Sequence, residues 1–139
     1  MAKNKLNGWG LAVLRIALGI ILVYHGYLKL FASGGFPATV QFFASIDIPY
    51  PEIGALLSGV AEFFGGLFLI LGVVTKLSCI ALIINFLVAF LVVHLKNGLD
   101  VSKGGYEFVL LILASLLVVY TSGAGNFALG KLFKNKFLQ

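Results

Sequence analysis

Residues 9–31 read WGLAVLRIALGIILVYHGYLKLF. A helix rises 1.5 Å per residue, so about 20 apolar residues cross a hydrocarbon core about 30 Å thick. Trp9–Phe31 is long enough, and it carries Arg15, His25 and Lys29 within an otherwise apolar run. The basic start at Lys3 and Lys5 is that of a secretory leader, but the apolar stretch is too long for one. Cleavage near Ala32-Ser33-Gly34 would also discard those costly ionisable groups. The stretch therefore reads as a helix that stays in the membrane.

Three further apolar blocks follow: Glu52–Val74, Leu77–Leu95 and Tyr106–Ser122. The last is short, and sits in a thinned region or extends through Gly123. The blocks are too long for barrel strands and do not alternate in polarity. Across the 139 residues 60% are hydrophobic and 11% charged, which excludes a disordered chain, a coiled coil and almost any soluble enzyme. Cys79 stands alone, which rules out an internal disulfide framework, a CxxC redox pair and a four-cysteine zinc site. The net charge of +5 on so apolar a chain points to lipid, and no nucleic-acid-binding module is visible.

With four crossings, Lys3, Lys5, Lys76, Lys131, Lys134 and Lys136 fall on one side, and Lys96 and Lys103 on the other. The positive-inside rule then puts both termini in the cytoplasm, with the chain in the cell membrane. The link between spans two and three is tight and centred on Thr75-Lys76. The first outer connection, Ala32–Pro51, predicts a short interfacial helix. Gly34-Gly35 ends span one, Pro37 suits a first helical position, and Val40, Phe43 and Ile46 recur at helical spacing. Residues Asn126–Gln139 alternate basic and apolar, with Leu129, Phe133 and Phe137 on one stripe, as in an anchor on anionic lipid. The expectation is an all-α integral membrane protein: one domain over residues 1–139 forming a four-transmembrane-helix bundle. A short interfacial helix and a basic amphipathic C-terminal tail complete it.

Ionisable groups at the bilayer centre cost about 2.5–3.5 kcal/mol each on insertion scales, so they are the informative residues. At 100° per residue, Arg15, Gly19, Gly26 and Lys29 fall within about 80°, with His25 at the edge. That face must point into the bundle, and its glycines permit close helix approach. On span two, Glu62 shares a face with Ser58, Gly65 and Gly66, roughly 15 Å below the outer end. Its natural partner is Arg15, with Lys29 the second candidate. Whether Arg15 and Glu62 form a register-fixing ion pair or a functional site stays open. Asn85 lies mid-span in the third block, His94 closes it, and Glu107 opens the fourth, where a helix dipole favours negative charge. The result is a polar column opening outward.

The run Arg15…His25-Gly26-Tyr27-Leu28-Lys29-Leu30-Phe31 resembles the first-helix signature of the DoxX family of small bacterial and archaeal membrane proteins. Glu62-Phe63-Phe64-Gly65-Gly66 with Leu71-Gly72-Val73-Val74-Thr75 resembles its second-helix pattern. His94…Gly98…Gly104-Gly105-Tyr106-Glu107 resembles the segment before helix four, and Gly123-Ala124-Gly125 the close of that helix. The resemblance covers about residues 9–127. It implies a four-helix membrane bundle in a group linked to redox work, one member being the membrane subunit of a thiosulfate:quinone oxidoreductase. The lone Cys79 departs from relatives that handle disulfides with paired cysteines, which argues against thiol–disulfide chemistry by this chain alone.

On this reading the chain is a membrane redox subunit that binds a quinone or similar small ring in the outer half of the bundle. His25, Glu62 and Glu107 are the candidate catalytic groups. Arg15, Tyr24, Lys29, His94 and Tyr106 are candidate ligand contacts. A neutral histidine suits a hydrogen bond to a carbonyl. No flavin, haem or metal-ligand motif is visible. Electrons would come from a partner, a soluble oxidoreductase or a sulfurtransferase-type protein, and a second copy of the chain is a further candidate partner. The alternatives are a non-catalytic membrane scaffold for a redox complex, and a conduit for a small solute or protons.

Overall fold

A computed structural model describes residues 5–125 and 127–132. The described chain is all-α. Helix α1 covers Lys5–Leu30, a short α2 Gly35–Ser45, α3 Pro51–Leu71, α4 Thr75–Val88 and α5 Glu107–Ser122. Helix α4 does not stop at Val88: a π-helical turn over Ala89–His94 and a 3-10 turn over Leu95–Asn97 carry it on. Gly8–Leu30, Pro51–Leu71 and Thr75–Asn97 are each long and apolar enough to cross a membrane, and Glu107–Ser122 is a shorter apolar helix.

Helix α1 packs along α3, α3 along α4, α4 along α5 and α5 back on α1, while α2 lies against α3 and α1. The centre is filled by Leu18, Leu22, Leu69, Leu82, Phe86, Val109, Ile112, Leu116 and Val119. Val13, Leu77 and Leu111 are exposed on the outer surface. Apolar residues thus occupy both the inside and the outside, the arrangement of a bundle whose solvent is lipid. With no hydrophobic drive between helices in lipid, close packing holds them together, and the glycine face of α1 supplies it. A Cβ on Gly19 would lie 2.7 Å from the Gly66 carbonyl oxygen, and one on Gly66 would lie 2.8 Å from that of Gly19. A Cβ on Gly26 would collide with the Phe63 backbone.

This glycine contact fixes the antiparallel register. Gly19 stands beside Gly66, and Leu30 fills the space at Gly59. The end of α1 therefore stops short of the start of α3, and α2 packs on both helices near that step. Helix α2 begins at Gly35, not at Pro37. Pro37 is still within the first turn, where its missing N–H breaks no helical bond.

The α3–α4 link is Gly72–Val74, not Thr75-Lys76, which already belong to α4. Gly72 adopts the left-handed conformation (φ 67°), Val73 N–H donates to Phe68 O and Gly72 N–H to Leu69 O. These two bonds close α3 as a Schellman motif. The segment after α5 packs at this same end: Gly130 N–H donates to Gly72 O at 3.1 Å, and the Phe127 and Trp9 rings lie 4.3 Å apart. Of the expected amphipathic tail, Leu129–Leu132 forms a 3-10 turn. Phe133 and Phe137 lie outside the described residues.

Candidate functional site

Arg15 and Glu62 do not pair. Glu62 lies in mid-α3, whereas Arg15 bonds the carbonyls of Leu69 and Ile70 near the end of that helix, seven and eight residues or about 11–12 Å further along the axis. Arg15 is fully buried and donates through Nη1 to Leu69 O and to Ile70 O (3.0 Å), and through Nη2 to Phe127 O (3.3 Å). The last carbonyls of a helix lack intrahelical donors and carry the negative end of its dipole. A planar guanidinium meets several of them at once, so Arg15 ties α1, the end of α3 and the segment after α5 together. The sequence pattern placed Arg15 on the correct face but could not set its level.

The second candidate, Lys29, is the cation that holds Glu62. Its Nζ lies 2.6 Å from Glu62 Oε1 and donates to Ser58 Oγ at 3.0 Å. Asn85 Nδ2, from α4, donates to the same Oε1 at 2.9 Å. The side chain of Glu62 is 3% exposed and that of Lys29 26%. Two donors converge on Oε1, while Oε2 is buried and accepts no hydrogen bond. Ser58 and Asn85, which the sequence reading left out of its site residues, complete this cluster. Each was visible as a polar residue in an apolar span, Ser58 one turn from Glu62; what was missing was the pairing of α3 with α4.

A cavity of about 890 Å³ rests on the cluster. Its walls are mostly apolar, drawn from α2 (Thr39, Phe42, Phe43), α3 (Leu57, Ala61), α4 with its π turn (Ile84, Ala89, Val92) and α5 (Phe108, Ile112). The volume and the few convergent polar groups are those of a small-molecule site. His25, Lys29, Glu62 and His94 all line it, as do Ser58 and Asn85. His25 is otherwise exposed, with the Tyr24 and Phe108 rings 5.8 and 6.3 Å away. His94 belongs to the π turn, a distortion that often marks functional positions. Its Nδ1 lies 2.8 Å from Gly104 O. A carbonyl only accepts, so Nδ1 carries the proton and, in the neutral ring, Nε2 is an acceptor.

The remaining expected site residues lie elsewhere. Arg15 does not line the cavity. Tyr24 is exposed on α1, and Tyr106 packs its ring 5.2 Å from Phe90. Glu107 is exposed and accepts from Val101 N–H at 2.8 Å. It holds the 98–106 connection, whose backbone also bonds from Tyr106 to Gly98 and from Glu107 to Leu99. His94 and Glu107 each bind this loop rather than one another. Among the described residues no group of three or more His, Cys, Asp or Glu is placed to hold a metal ion.

Apolar helices long enough to span a bilayer, exposed leucines on the outside and a carboxylate–lysine pair between the helices define a multi-pass membrane protein with an amphipathic cavity open to its surface. The chain belongs to the DoxX family, whose profile matches residues 10–95. It is 30% identical over 146 aligned positions to an uncharacterized protein of Haemophilus influenzae, covering 99% of this chain and 94% of that one. It is 30% identical over 134 positions to the putative oxidoreductase CatD of Bacillus subtilis, covering 96% and 94%. The inner membrane protein YphA of Escherichia coli matches at 33% over 66 positions, 48% of this chain and 45% of that one. No solved structure matches significantly.

Proposed function

We propose that this chain is a redox-associated membrane subunit that takes a quinone-class ring into the cavity above Lys29, Glu62 and Asn85. The observation that carries the reading is the combination of about 890 Å³ of apolar space with a buried carboxylate whose Oε2 has no partner. A flat ring fits between the aromatic and branched walls, and its polar atoms meet the cluster. His25 and His94 are the groups that exchange protons or hydrogen bonds nearer the opening. The name of the Bacillus relative, a putative oxidoreductase, is in keeping with this. Glu107 acts on this proposal only by shaping the loop that roofs the site.

The proposed topology has α5 as a fourth crossing and both termini cytoplasmic by the lysine distribution. Electrons are exchanged with a soluble oxidoreductase or sulfurtransferase-type partner.

The test is retention of quinone by protein purified in mild detergent, read by solvent extraction and chromatography. Wild type should retain or bind an isoprenoid quinone, and Ala61→Phe, whose ring fills the cavity, should not. Failure to bind across benzoquinones and naphthoquinones removes the reading.

A further inference from the structure

We infer that the groove between α3 and α4 is a lateral portal, through which a hydrocarbon tail on the ring ligand passes from the cavity into the bilayer. The inference rests on the ring-binding reading above and adds the ligand's class and route: a lipid-soluble ring with a long apolar chain, entering sideways from the membrane.

Leu57 of α3 and Ile84 and Val88 of α4 line the cavity, yet they stay 63%, 59% and 46% exposed. They form a rim that touches both the cavity and the surroundings of the bundle. Ala81, which also lines the cavity and is exposed, extends it: Ala81, Ile84 and Val88 recur at helical spacing over about 10 Å of α4. Asn85, one position beyond Ile84, bonds to Glu62, so the groove runs past the polar cluster. Depth decides what lies outside. Thr75–Asn97 is long enough to cross the bilayer, and Ile84 sits about 13 Å from its start and about 20 Å from its end. In a hydrocarbon core about 30 Å thick that position is among acyl chains. Elsewhere the cavity is hemmed in. The 98–106 connection roofs its outer end, held by Gly105 N–H on Asp100 O and Tyr106 N–H on Gly98 O. Between α1 and α5 the His25 and Phe108 rings stand 6.3 Å apart. The rim side chains on α3 and α4 are all apolar and offer a polar group leaving water no hydrogen bond, so the portal admits hydrocarbon. Lipid tails are as apolar as this rim, so a chain gains little affinity by moving into the groove. What the groove gives it is an exit while the ring is seated.

The test blocks the exit. Leu57→Trp and Val88→Trp enlarge facing rim residues, and Leu111→Trp, exposed on α5 away from the cavity, is the control. Two probes are titrated calorimetrically in one detergent at fixed concentration: dimethoxy-methyl-benzoquinone without a side chain, and the same ring carrying a decyl chain. Partition into micelles is common to all proteins and cancels in the comparison between them. A clash in a packed space is worth about five- to a hundredfold in affinity, so each rim variant should bind the decyl probe about tenfold or more weakly than wild type does. The chainless probe should stay within about twofold throughout, as should both probes on Leu111→Trp. Unchanged binding of the decyl probe to both rim variants overturns the portal and leaves the ring site standing. Equal weakening of both probes also overturns it, because the rim then belongs to the ring pocket. Phospholipid found by native mass spectrometry on wild type but not on the rim variants, with decyl binding unchanged, makes a bilayer chain the occupant and overturns it as well. Binding of neither probe to wild type removes the ring reading, and the portal with it. If one rim variant does not fold, the other decides.

Discussion

Replacing Lys29 by methionine leaves Glu62 with a 3%-exposed side chain in the middle of α3 and no cation bonded to it. Breaking a buried ion pair by removing one partner costs about 3–5 kcal/mol. Two features of this pair reduce the figure. Lys29 keeps 26% of its side-chain surface, so solvent already screens part of the attraction, and Asn85 still donates to Oε1. The expected loss for Lys29→Met is about 2–3 kcal/mol. The double variant Lys29→Met/Glu62→Gln removes both charges and retains the amide-to-amide bond from Asn85. It should lie within about 1 kcal/mol of wild type, giving a coupling of at least about 1–2 kcal/mol, to which any cost of Glu62→Gln alone adds. Reversible unfolding in mixed micelles, read by Trp9 fluorescence against its Phe127 neighbour, measures the cycle. A coupling below about 0.5 kcal/mol, the value of an exposed pair, would refute the buried-pair account. The parallel cycle with Arg15→Met and Glu62→Gln should be additive within about 0.5 kcal/mol, because those residues share no partner.

Gly66→Ala should cost about 1–3 kcal/mol in the same assay, since the new Cβ meets backbone 2.8 Å away, whereas Gly10→Ala, with nothing within 4 Å, should not destabilise. Arg15→Lys should not rescue what Arg15→Ala loses, because a point-charge ammonium cannot serve three separated carbonyls; the readout is faster amide exchange over residues 127–132. Cysteines placed at Lys76 and Lys96 in a Cys79→Ala background should label from opposite faces of intact membrane vesicles, and labelling from one face would refute the four-span topology. Wild-type Cys79, fully buried, should resist maleimide until the bundle is unfolded.

Much of the site is legible as angle. Helical periodicity alone puts Arg15, Gly19, Gly26 and Lys29 on one stripe and Ser58, Glu62, Gly65 and Gly66 on another, and seven of these eight are buried, with Lys29 half-buried. The cost of charge in lipid requires those stripes to face inward, and the structure places them there. Asn85 is equally visible as a mid-span polar residue, but nothing in its own helix says that it meets Glu62.

Height along the bundle axis is not legible in this way. The sequence itself determined an all-helical membrane chain, the inward faces and the groups that need partners, because length, hydropathy and the 3.6-residue period are properties of single helices. Only the tertiary structure decided that Lys29 and not Arg15 satisfies Glu62, that Arg15 closes the end of α3, and that Glu107 serves a loop rather than the cavity. Those outcomes turn on axial register, which is set where Gly19 and Gly66 let two backbones touch. A contact between residues far apart in sequence has no periodicity for a single helix to display.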